Sequence, residues 1–120
     1  MLAILLPFFA LKVDAEEESV VKEIPLIKVG EIIGERNLNS QCVSSWYYGS
    51  FKGILTRVSR DLGEIELVIV NDTTGEKWYD VFDSSSCRQE LSQISGTSGF
   101  YHVFYSTSDG EHYEGTFIIN

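Results

Sequence analysis

Apolar and polar residues alternate along most of this chain, and the alternation breaks at short runs of Gly, Asn, Asp and Ser. The clearest stretch is residues 64–70, EIELVIV, where Ile65, Leu67 and Ile69 point one way and Glu64 and Glu66 the other. A period of two is the signature of a half-buried strand. Residues 76–82 (EKWYDVF), 100–105 (FYHVFY) and 113–119 (YEGTFII) read the same way, being short and rich in aromatic and β-branched residues. Residues 42–58 carry the same composition, and Gly49 and Gly53 divide them into two strands joined by a turn or bulge. Residues 16–29 alternate loosely around Pro25, which cannot donate to a ladder and so predicts an edge strand.

Between these segments lie turn sequences: Asp61-Leu62-Gly63, Asn71-Asp72-Thr73-Thr74-Gly75, Gly96-Thr97-Ser98-Gly99 and Ser108-Asp109-Gly110. Residues 30–40 read as a loop or one short helical turn. Ser84 is placed to cap a helical turn over residues 86–93. No apolar period of 3.6 runs far enough to suggest a longer helix. Many short strands with regular turns predict an all-β fold, an antiparallel β-sandwich of the jelly-roll or immunoglobulin-like kind with about seven strands.

The N-terminus breaks the alternation. Residues 1–10, MLAILLPFFA, form an apolar run too short to span a bilayer, which needs about 20 residues. Val13-Asp14-Ala15 follows, with small residues at the positions a signal peptidase reads. The expected organisation is a signal peptide over residues 1–15, an N-terminal arm and edge strand over 16–40, and a sandwich core over 41–120. No Lys or Arg precedes the apolar run. Secretion, to the extracellular space or a periplasm, is the expectation, with no stable membrane insertion once the signal is cut.

That address changes the meaning of the two cysteines, Cys42 and Cys87. Neither belongs to a Cys-x-x-Cys pair, and in an exported chain one disulfide is the simplest use of an even pair. Charge narrows the partners. The chain has 18 Asp and Glu against 9 Lys and Arg, a formal charge of −9, with no basic cluster. Such a surface repels nucleic acid and anionic lipid.

The stretch from Gly63 onward resembles small extracellular β-sandwich modules of the bacterial pre-peptidase C-terminal domain type. The matching pieces are IELVIVNDTTG, SGFYHVFYS and HYEGTFII. The resemblance implies a jelly-roll-like accessory domain without catalytic residues.

Little in the sequence suggests catalysis. His102 lies among large apolar residues and His112 just past a turn; no serine sits in a Gly-x-Ser-x-Gly elbow; no zinc signature or phosphate loop is present. The chain is therefore expected not to be an enzyme and to need no cofactor, although Asp72, Asp83, Asp109 and Glu111 in acid-rich turns offer the hard oxygen ligands that suit structural calcium. Asn71-Asp72-Thr73 is an Asn-x-Thr glycosylation acceptor in an expected surface turn. Aromatic residues carry the functional expectation. Trp46, Tyr48, Trp78 and Tyr79 are more rings than a small core needs, and exposed rings stack on sugars or grip peptides. The sequence thus points to a secreted, non-catalytic binding or accessory module recognising carbohydrate or a surface protein. The alternative is a structural or assembly subunit of an extracellular layer or filament.

Overall fold

The structure is a computed structural model that describes residues 20–30 and 42–120. The signal-peptide reading of residues 1–15 and most of the arm and loop readings lie outside the described residues. Among those residues there are nine strands and no helix: β1 (Val21–Ile24), β2 (Ile27–Lys28), β3 (Val43–Tyr48), β4 (Gly53–Val58), β5 (Glu64–Asn71), β6 (Lys77–Asp83), β7 (Gln89–Gln93), β8 (Gly99–Thr107) and β9 (His112–Ile119). They form two antiparallel sheets, one in the order β1-β3-β4-β7 and the other β2-β9-β8-β5-β6. The all-β antiparallel sandwich is the expected one.

Two features raise the strand number from seven to nine. The N-terminal edge strand is split at Pro25: β1 pairs with β3 in one sheet, and β2 pairs with β9 in the other. The crossing between sheets passes directly over Gly115, where an added Cβ would lie 2.5 Å from Pro25 O. A side chain there would push the crossing off the sandwich.

The second addition is β7. The helical turn expected over residues 86–93 is confined to the tight turn at 84–86, where Cys87 N bonds to Asp83 O. From Gln89 the chain is extended against β4, in register Arg57↔Gln89 to Gly53↔Gln93. QELSQ has little strand propensity of its own; the unpaired edge of β4 supplies the ladder that decides the matter. Ser84 does not cap a helix. Its buried hydroxyl donates to Gly63 O at 2.6 Å and accepts from Leu62 N at 2.8 Å, fixing the start of β5.

Inside the sandwich, alternation delivers Ile65, Leu67 and Ile69 from β5 and Tyr101, Val103 and Tyr105 from β8. Four rings form a stacked row across the core: Trp78 on Tyr101 (6.1 Å between centroids), Tyr101 on Phe117 (4.8 Å) and Phe117 on Tyr47 (5.3 Å). The row links β6, β8 and β9 to β3 of the opposing sheet, so aromatic packing joins the two layers.

The expected Cys42–Cys87 disulfide is absent. Ser59 N bonds to Cys42 O on one side of the β4 line, and Val58 N bonds to Arg88 O on the other. The cysteines therefore flank β4 and lie two strand spacings apart, about 10 Å. A disulfide needs Cα atoms within about 7 Å. Cys42 Sγ accepts from Arg60 Nε at 3.1 Å, and the Cys87 thiol donates to Gln89 O at 2.7 Å.

Candidate functional site

The five-stranded sheet turns its odd-numbered β8 residues inward, so the even-numbered ones must face out: Phe100, His102, Phe104 and Ser106. FYHVFY is apolar on both faces of the strand, and only one face can enter the core. Phe100 and Phe104 are 40% and 38% exposed. His102 lies between them, edge-on to Phe100 (5.2 Å) and stacked on Phe104 (5.7 Å). Its Nδ1 pairs with Asp72 Oδ2 at 2.5 Å, which fixes the imidazole in this row.

The register extends the row sideways. Phe104 is flanked by Val68 on β5, which has Tyr79 as its other neighbour on β6; on the opposite side Phe104 meets Glu114 and then Ile27. Phe100 faces Ile118, and His102 lies between Thr116 and Val70. Tyr79, 64% exposed, is the most open large ring; its hydroxyl donates to Glu66 Oε1 at 2.9 Å, the chief reason its pKa is raised. The outcome is a largely apolar band over β6, β5 and β8 that reaches β9 at Ile118, with Glu114 separating it from Ile27 on β2. Glu64, Glu66, Asp72, Asp83 and Glu114 lie around it, all exposed, against one exposed lysine on this face, Lys77.

The four rings singled out in the sequence do not come together. Tyr79 belongs to this face. Trp78, its neighbour, points the other way and packs against the core on Tyr101. Trp46 and Tyr48 lie on the outer face of the four-stranded sheet, half-buried, near Phe51 (Tyr48–Phe51 centroids 6.3 Å). There Arg57 Cζ sits 5.4 Å over the Trp46 ring, held by two bonds to Gln89 Oε1. The residues missed were Phe100, His102 and Phe104. Their signal was present: period two across 100–105 places them opposite Tyr101, Val103 and Tyr105.

Asn71 is not in an exposed turn. It is 0% exposed and ends β5. Its Oδ1 accepts from Thr73 N and Thr74 N, and its Nδ2 donates to Ser98 O. The Asn-x-Thr pattern is here a turn-building device, with the amide nitrogen turned away from solvent.

The acids considered for calcium are dispersed. Asp72 pairs with His102, Asp83 Oδ1 accepts from Ser85 N and Oγ, Asp109 bonds to Thr107, and Glu111 pairs with Lys28. Among the described residues no three metal-ligating side chains gather in one place. Among the described residues no helix is long and apolar enough to cross a membrane.

No protein-family model matches the sequence, and no curated protein does. The fold is similar to that of a crystal structure of a DUF3244 family protein with an immunoglobulin-like β-sandwich fold from Bacteroides vulgatus ATCC 8482, with a TM-score of 0.64. The match covers 84% of this chain and 100% of that one at 10% sequence identity, and it concerns the fold alone. Of the two sandwich kinds expected from the sequence, the solved neighbour has the immunoglobulin-like one.

Proposed function

We propose that this chain is a secreted, non-catalytic binding module. Its docking surface is the outer face of the five-stranded sheet, and its ligand is a protein bearing an apolar patch with a basic rim. One observation carries this reading: Phe100, His102 and Phe104, with Ile118, Val68 and Tyr79 beside them, form a largely apolar, solvent-facing band from β6 to β9. Exposed bands of this kind, rimmed by polar residues, mark protein-interaction sites.

Charge argues for a different protein rather than a second copy. A two-fold pairing of this face would set Glu66, Glu114 and their acidic neighbours against themselves. A basic partner would meet those acids with attraction, and association would weaken with salt. The assembly-subunit reading has less support on a second ground. Val81 N, on the edge strand β6, is taken by Asp80 Oδ1 at 2.9 Å, which blunts that edge for strand exchange.

Carbohydrate recognition would fall to Trp46, Tyr48 and Phe51 on the other sheet. Arg57 already covers one face of the Trp46 ring, so the platform is less open than the five-stranded face. Kinship with the pre-peptidase type modules would fit an accessory role, and it rests on the three sequence segments alone.

Site-specific photo-crosslinking tests the proposal. A benzophenone amino acid at position 104 or 118 should capture one and the same protein from the native host's extracellular fraction. Position 48 should not. Capture should fall with salt and disappear when Glu66 and Glu114 are changed to Lys. Equal capture at position 48, no capture at any position, or a crosslinked dimer of this chain at position 104 would each overturn it.

A further inference from the structure

A second feature lies at the end of the sandwich where β1, the β3–β4 hairpin, the segment after β7 and the end of β9 meet. It is a cavity of about 500 Å³, lined by Lys22, Tyr47, Lys52, Gly96, Ile119 and Asn120 among others. In a chain with a formal charge of −9 it gathers two ammonium groups, and neither is within ion-pair distance of a carboxylate.

Both lysines are positioned. Lys22 stands opposite Tyr47 in the β1–β3 register, and its Nζ donates to Ile118 O at 2.6 Å, leaving further N–H groups to give. Lys52 occupies the left-handed region at φ +49°, the one non-glycine residue to do so among those described. A residue held there is worth a functional question. Its stem runs across Gly96, itself at φ +75°, with Cγ and Cδ each 3.0 Å from where a Cβ on that glycine would stand. A side chain at position 96 would press on the Lys52 stem and shift it at the cavity.

Tyr47 supplies the independent observation. The residue is only 6% exposed, and its ring is fixed by stacking on Phe117. Its hydroxyl has no hydrogen-bond partner, and no buried side-chain polar atom among the described residues is left sealed without one. The hydroxyl therefore opens on the cavity. Burial pushes its pKa up, so it stays a protonated donor.

We propose that this cavity binds a small organic carboxylate, its charge met by Lys22 and Lys52 and one oxygen bonded by the Tyr47 hydroxyl. The volume lies within the range of small-molecule sites, and Ile119 gives an apolar wall that an inorganic anion would not use. The carboxylate could belong to a free acid or to an acidic sugar, and the probes separate the two.

The full chain is titrated at low salt with acetate, glucuronate and inorganic sulfate, followed by NMR of the Lys22, Tyr47 and Lys52 signals. Shifts confined to this site are expected with a carboxylate. Glucuronate exceeding acetate identifies an acidic sugar; acetate equal to glucuronate identifies a free acid. Lys52→Met and Tyr47→Phe should each weaken binding by about tenfold, the loss expected for a bond to a charged group. Tyr47→Phe should leave Tm unchanged, because its hydroxyl bonds to nothing in the fold. Sulfate binding as well as the carboxylates, shifts elsewhere on the molecule, no binding, or affinities indifferent to both substitutions would overturn the proposal.

Discussion

The Tyr105 hydroxyl on β8 reaches across the sandwich to Thr56 Oγ1 on β4 at 2.6 Å. Ser45 Oγ on β3 completes the cluster at 2.8 Å, and all three residues are buried. This polar contact joins the two sheets in the interior and has every hydroxyl partnered. Tyr105→Phe leaves Ser45 and Thr56 without their shared partner and should cost about 1–3 kcal/mol in chemical denaturation. Burial also pushes the Tyr105 pKa up from 10.0 to about 12. The fold holds that proton more tightly than the unfolded chain, so its contribution is complete below pH 10 and is lost as pH rises towards 12. The phenylalanine variant should lose less stability over that window than the wild type; an identical decline would show that Tyr105 is not the group responsible.

Glu90 and Asp80 meet where edge strands β7 and β6 approach each other. Asp80 Oδ2 accepts from Ser92 Oγ at 2.6 Å, tying the two strands together. Burial raises the Glu90 pKa above 4.5, and Asp80 adds to the shift. Glu90 thus favours the fold while protonated, and stability should decline as pH rises from 4.5 through its raised folded-state value. Asp83 and Asp109 act in the opposite sense and at lower pH, because hydrogen bonds to Ser85 and Thr107 hold their carboxyls below 3.8. Thermal melts of Glu90→Gln against wild type should show a difference in Tm that grows in the variant's favour from pH 4 to pH 7. A constant difference would contradict the assignment.

How much of this could be read from the sequence divides along physical lines. Alternation placed Ile65, Leu67 and Ile69 in the core and Glu64 and Glu66 outside, because one period-two strand has one buried face. It could not place Gln89–Gln93, whose extended conformation comes from the free edge of β4, a partner more than thirty residues away. Trp78 and Tyr79 are adjacent and therefore on opposite faces; which of them points inward depends on β5, against which β6 pairs. Asn71 looks like any turn asparagine until the approach of Ser98 and Gly99 buries it. Phe100 and Phe104 are legible from the strand pattern when rings are sorted by face rather than by type.

The cysteines give a direct chemical check. With β4 between them, Cys42 and Cys87 should each react with a thiol reagent in the native, unreduced protein. Replacing both by Ser should cost less than about 1 kcal/mol, against about 2–5 kcal/mol for loss of a native disulfide. Peptide mapping that joins the two under non-reducing conditions would contradict the strand order at this end of the sandwich.

The binding face is tested most directly by the dissociation constant for the partner captured at position 104, measured for wild type, Phe104→Ser and Tyr48→Ser at low and at high salt. Phe104→Ser should weaken binding by at least about tenfold, as loss of an aromatic at the centre of an interface does. Tyr48→Ser should leave it unchanged, and the wild-type affinity should fall as salt rises. Equal losses for the two variants, or a loss confined to Tyr48→Ser, would move the site to the opposite sheet and contradict the proposed function.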